Sequence, residues 1–190
     1  MSIYHGDNKS ALTSQKLISE ALLRLMAEKP FSAVSVSDIC REAQVSRQTF
    51  YSLFGTKENI MVYELRGNCF IPDEERPACR SASFRSFCKG YSSYIIRSRS
   101  ILELLVSNDM MHFLHDVQYE SFMECRHFLS DVTGSDRVYL VDFIASGMNS
   151  IAKNYVLTGC TADEKYLERQ MFRLFGGLYF LEGRRNEYGA

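Results

Sequence analysis

Apolar residues recur three and four positions apart along much of this chain, and polar punctuation divides them into helix-length runs. The first stripe runs from about Thr13 to Lys29 through Ile18, Ala21, Leu22, Leu25 and Met26, and Pro30 closes it. The polar residues before it are expected to fray. Ser35 and Asp38 then form an S-x-x-D capping box ahead of Ile39 and Ala43, which predicts a short helix. Gln44-Val45-Ser46 leads into another. Ser46 stands at its N-cap, and Val45 and Phe50 occupy the two positions of a hydrophobic staple. That helix closes near Gly55, and Thr56 caps a longer one reaching about Asn68.

Residues 71–80 (IPDEERPACR) hold two of the three prolines and a charge cluster, the mark of a linker. Beyond them the pattern predicts helices at about 81–97, 99–107, 109–131, 136–158 and 163–182. The last two are the most regular. One carries Val138, Val141, Ile144, Ala145, Met148, Ile151, Ala152 and Tyr155; the other carries Leu167, Met171, Leu174, Phe175, Leu178 and Leu181. The fold class read from these runs is all-α. A three-helix helix-turn-helix domain spans 10–70 and a larger helical domain spans 71–190.

Composition refines this picture only in places. Hydrophobic residues at 46% of 190, few prolines and no Trp suit an ordinary helical globular protein. The net charge is −1, and residues 1–60 hold seven Lys/Arg against six Asp/Glu, so any nucleic-acid contact must be local. Six cysteines form no CxxC pair, no apolar leader is present, and no apolar run approaches about 18 residues. The expectation is a cytoplasmic protein with reduced thiols and no membrane span. No GxSxG, glycine-rich phosphate loop, HExxH or fixed Cys–His arrangement occurs, so the reading is not an enzyme, with no cofactor and no metal. His112 and His115, with Asp109, Asp116 and His127 nearby, read as a solvated or core pair.

The candidate chemistry lies in VSRQTFYSLFGTKENI, residues 45–60. Helical spacing puts Phe50 and Phe54 on one face, while Arg47, Gln48 and Tyr51 point the opposite way and Thr49 lies on the flank. Arginine suits guanine or phosphate, glutamine an adenine edge, threonine a thymine methyl or phosphate, and tyrosine a phosphate oxygen. Helix N-termini at Ser46 and Thr56 attract phosphate, and Lys57 adds charge at the second. A capped, solvated helix face is the plain alternative.

The longer run VSVSDICREAQVSRQTFYSLFGTKENI resembles the DNA-binding segment of TetR/AcrR-type transcriptional regulators, matching at Val36, Asp38, Ile39, Ala43, Val45, Ser46, Thr49, Phe50, Tyr51, Phe54, Lys57 and Glu58. The likeness covers roughly Thr13–Leu65, with a weaker one from Ser146 to Phe175. It implies contacts to a double-stranded operator from Arg47, Gln48, Thr49 and Tyr51. Lys57 matches a phosphate-binding lysine and Ser37 a groove-facing position. Two residues depart from the pattern. Gln44 stands where the family has Gly, which implies a positive φ with some strain, and Cys40 replaces a small Ala.

A single recognition helix reads few base pairs, so a homodimer is expected, built through helices 136–158 and 163–182 as a four-helix bundle. The other reading turns both stripes toward their own core. Gly176-Gly177 would permit close helix approach or a bend. In the family, an inducer pocket falls in the aromatic and Met-rich region, here Phe87, Tyr91, Tyr94, Met110, Phe113, Phe122, Met123 and Phe143. This implies a small apolar or aromatic effector; plain core is the alternative. The resemblance therefore implies a ligand-responsive repressor that binds a palindromic operator as a homodimer. The competing function is a partner-protein-dependent activator, or an interaction module without a small-molecule inducer.

Overall fold

Asn8 starts the first helix, ahead of the apolar stripe, because its side-chain oxygen accepts from the Ser10 N–H at 2.9 Å. In a computed structural model, which describes residues 3–4, 6–67, 84–125, 128–129 and 131–176, helix α1 runs Lys9–Glu28. A 3₁₀ turn, Phe31–Ala33, follows Pro30. The helices α2 (Val36–Glu42), α3 (Arg47–Leu53) and α4 (Lys57–Gly67) come next. Beyond the expected linker, which lies outside the described residues, come α5 (Phe84–Arg97), α6 (Arg99–Ser107) and α7 (Met111–Glu124). The chain continues through α8 (Gly134–Leu157) and α9 (Glu164–Phe175). No strand occurs among the described residues.

The described residues fall into two compact units. The first combines α1–α4 with residues 103–117, and its core holds Ile18, Leu22, Ile39, Phe50, Phe54, Ile60 and Met61, all fully buried. Burying each such side chain contributes about 1.5–3 kcal/mol. The residues before α1 do not simply fray. The Tyr4 N–H donates to the Leu53 carbonyl at 3.0 Å, and the buried Gln15 amide donates to the Tyr4 carbonyl at 3.0 Å.

The second unit combines residues 84–102 with those from 118 onward. Here α5 packs on α9, and the fully buried Tyr91 hydroxyl donates to the Met148 carbonyl at 3.0 Å while accepting from the Gln118 amide at 2.9 Å. Helix α7 ends earlier than its apolar pattern predicts. Arg137, in the first turn of α8, reaches back and donates to the carbonyls of Phe122, Cys125, Phe128 and Leu129. A guanidinium satisfying orphan carbonyls at a helix C-terminus ends the helix there.

At the α8–α9 contact the close approach is made at Gly147, where an added Cβ would lie 3.0 Å from the Phe175 ring. Gly176 instead serves as the C-cap of α9, and Gly177, Leu178, Tyr179, Phe180 and Leu181 lie outside the described residues, as does His127. Burial pushes the Cys40 thiol up and, with Glu168 nearby, the Cys88 thiol up to about 11, so both stay protonated at neutral pH. Among the described residues, no helix is long and apolar enough to cross a membrane, and no cluster of three His, Cys, Asp or Glu could hold a metal.

Candidate nucleic-acid interface

Helix α2 is set by its cap. The Asp38 N–H donates to Ser35 Oγ at 3.1 Å, and the Ser35 N–H donates back to Asp38 Oδ2 at 3.2 Å. Asp38 also receives Lys29 Nζ at 2.8 Å and Arg41 Nη2 at 2.7 Å. The Lys29 ammonium and then the Ser35 donors hold its carboxyl well below the usual carboxylate range.

The turn to α3 passes through Gln44 at φ 55, the left-handed conformation expected where a glycine is replaced. The Val45 N–H returns to the Cys40 carbonyl at 3.0 Å, which closes α2. Ser46 then caps α3 by accepting from the Thr49 N–H at 3.0 Å, and the hydroxyls of Ser46 and Thr49 share a 2.8 Å hydrogen bond. Phe50 and Leu53 face inward, while Arg47, Gln48, Tyr51 and Ser52 are exposed. Tyr51 rests edge-on against Phe50 with centroids 5.3 Å apart, which stiffens an otherwise half-exposed ring. Arg47 Nη2 donates to Ser37 Oγ on α2 at 2.7 Å, so the two short helices present one joined polar surface. Ser52 is absent from the expected set, although its i+4 spacing from Gln48 puts it on the same face.

At the next helix start, Thr56 Oγ1 accepts from the Asn59 N–H at 3.3 Å. Lys57 turns partly inward. Its Nζ donates to the Phe31 and Val34 carbonyls at 2.7 and 2.9 Å and lies 4.3 Å from the Phe31 ring centroid. Two of its three N–H donors therefore serve the turn that precedes α2.

The eight residues expected to line one effector pocket are distributed over both units. Met110 and Phe113 belong to the first unit, whereas Phe87, Tyr91, Tyr94, Phe122 and Met123 belong to the second. Tyr91 stacks on Tyr94 with centroids 5.5 Å apart, and Phe122 stacks on Phe128 at 4.3 Å, an arrangement of packed rings. Phe143 is 57% exposed, on a side of α8 that faces away from the core. It lines an open groove of about 490 Å³ on the α8–α9 surface together with Ile151, Tyr155, Tyr166, Leu174 and Phe175. His115 Nδ1 lies 3.1 Å from Asp116 Oδ1, and His112 packs on Phe113 with centroids 4.5 Å apart.

Residues 18–63 match the sequence profile described as bacterial regulatory proteins, tetR family. Over 61 residues the chain is 36% identical to the HTH-type dhaKLM operon transcriptional activator DhaS of Lactococcus lactis subsp. lactis (strain IL1403), covering 32% of this chain and 33% of that protein. Over 48 residues it is 38% identical to the uncharacterized HTH-type transcriptional regulator YuxN of Bacillus subtilis (strain 168), covering 25% of this chain and 16% of that one. These matches span a third or less of the relatives' lengths. The solved structure of Lin0861 from Listeria innocua superposes with TM-score 0.77 at 15% identity, covering 95% of this chain and 97% of that one. A TetR-family regulator from Streptomyces coelicolor A3 gives TM-score 0.67 at 21% identity, covering 89% and 96%. At such identities the structures establish a shared fold.

Proposed function

We propose that this chain, whose residues 18–63 match the profile of the tetR family of bacterial regulatory proteins, is a cytoplasmic transcriptional regulator that binds a palindromic operator as a homodimer. Recognition helix α3 enters the major groove and reads base edges with Arg47 and Gln48. Thr49, Tyr51 and Ser37 contact the groove flank and backbone, and the helix starts at Ser46, Thr56 and Lys57 meet phosphates. One observation carries this reading. A single face of α3 is buried through Phe50 and Leu53, and the opposite face exposes Arg47, Gln48 and Tyr51.

Two copies pair through α8 and α9, whose shared groove exposes Phe143, Tyr166 and Leu174. An apolar or aromatic effector acts on the second unit, where half-buried Phe87 borders the stacked rings of Phe122 and Phe128. The direct test is selection of duplexes from a random pool by the purified protein. An enriched inverted repeat with half-sites about one helical turn or a multiple apart is expected; no enrichment over the starting pool rejects the reading.

Activation in place of repression is the second reading, favoured by the likeness to a relative whose name calls it an operon transcriptional activator. Under it, a partner protein acts in place of a small-molecule inducer. A reporter placed behind the selected duplex separates the two, since loss of the protein raises output for a repressor and lowers it for an activator.

A further inference from the structure

Asn108, just past the end of α6, is bound to the turn before α2 in a way that neither the base-reading face nor the α8–α9 groove requires. Its Oδ1 accepts a hydrogen bond from the Phe31 N–H at 2.7 Å, and its Nδ2 donates to the Leu104 carbonyl in the last turn of α6 at 2.9 Å. An amide is suited to this position because it offers an acceptor and a donor from one short side chain. The backbone around it is fixed by Asp109 at φ 55 and by the Met110 N–H returning to the Leu105 carbonyl at 2.8 Å.

From Phe31 the links run on toward the recognition helix. The Phe31 and Val34 carbonyls accept from Lys57 at the start of α4. Val34 precedes Ser35, the cap of α2, and Ser37 in the first turn of α2 accepts from Arg47. The turn before α2 is therefore gripped from one side by α4 and from the other by Asn108, and α2 in turn holds the Arg47 guanidinium.

We propose that Asn108 is a positioning residue for DNA reading: it fixes the Phe31–Val34 turn, and through α2 it fixes the pose of Arg47. The side chain touches no base. This inference rests on the DNA-binding reading above.

The test uses the full chain and a duplex enriched from a random pool by the wild-type protein. Asn108→Ala removes the hydrogen bonds to Phe31 and Leu104 and a longer one to the Ser107 hydroxyl, whereas Asn108→Asp keeps the acceptor for Phe31 and loses only the amide donors. With Asn108→Ala, exchange of the Phe31 amide accelerates and affinity for the enriched duplex falls by about 3–10-fold, the range expected for loss of one hydrogen bond. With Asn108→Asp, Phe31 exchange and duplex affinity stay near wild type even if the melting temperature drops. In the Asn108→Ala/Arg47→Ala pair, the combined loss is smaller than the product of the single losses, because both act on one contact. A purely structural role would lower the melting temperature and leave the two losses independent. Asn108→Ala binding as tightly as wild type, or losses that multiply independently, overturns the inference alone. A wild-type protein that enriches no duplex overturns the DNA-binding reading and this inference with it.

Discussion

At the scale of single residues, exposed and engaged side chains make different predictions. Gln48 stands exposed, and Arg47 gives one of its five N–H donors to the Ser37 hydroxyl, which holds the guanidinium while other donors meet a base edge. Replacing either by Ala is expected to weaken binding of the selected duplex by about 1–3 kcal/mol and to relax one base position. Competition against single-substitution duplexes measures both. Lys57 differs because its ammonium already serves two carbonyls. Lys57→Met keeps the aliphatic stem beside Phe31 but strips those carbonyls of their donor, so the melting temperature should fall. If the remaining N–H also meets a phosphate, the slope of log affinity against log salt becomes shallower by about one. A lower melting temperature with an unchanged salt slope would make Lys57 a structural residue alone.

At the scale of elements, the helix-turn-helix is held by short-range devices, and each has a test. Asp38 is stabilised as a carboxylate by Lys29 and Ser35, so its folded pKa lies below its unfolded value. The stability it contributes is complete above the unfolded pKa of about 4 and is lost as pH falls toward the folded value. Asp38→Asn should therefore unfold more easily than wild type at pH 7, with the gap closing in the acid range; urea melts at pH 7 and pH 3 check this. Gln44 at φ 55 bears the cost of a side chain in a left-handed turn. Gln44→Gly is expected to raise stability by about 0.5–1 kcal/mol, the strain relieved less the entropy that glycine adds to the unfolded chain. The same devices made this element legible in sequence. Ser35 with Asp38, Ser46 with Thr49, and the αL turn at Gln44 all act within four residues. What sequence left hidden depends on distant partners. The inward turn of Lys57 needs carbonyls more than twenty positions away, the early end of α7 needs Arg137 from the next helix, and the exposure of Phe143 depends on which face of α8 is covered.

At the scale of the whole molecule, the proposed operator binding depends on two copies. A chain of net charge −1 has no overall excess of cations to hold DNA, and several cations of the first unit are paired within it: Arg24 with Glu42, Lys29 and Arg41 with Asp38. One recognition helix alone makes few contacts, and joining two converts the second contact into an intramolecular one, raising affinity by about 10²–10⁴-fold. The α8–α9 groove is the surface suited to join them. Phe143 at 57% and Leu174 at 45% exposure are apolar side chains that a lone chain would leave in water. Phe143→Glu combined with Leu174→Glu puts like charges on that surface without entering the core, since Met148, Ile151, Leu167 and Met171 beneath remain buried and unchanged. Light scattering should then report a mass of 21.8 kDa for the variant and twice that for wild type. Helicity and the melting behaviour of the first unit should be retained, while affinity for the full inverted repeat falls toward that for an isolated half-site. A variant that stays dimeric would move the interface off α8 and α9. A monomeric variant that still binds the full repeat at wild-type strength would break the link between pairing and recognition.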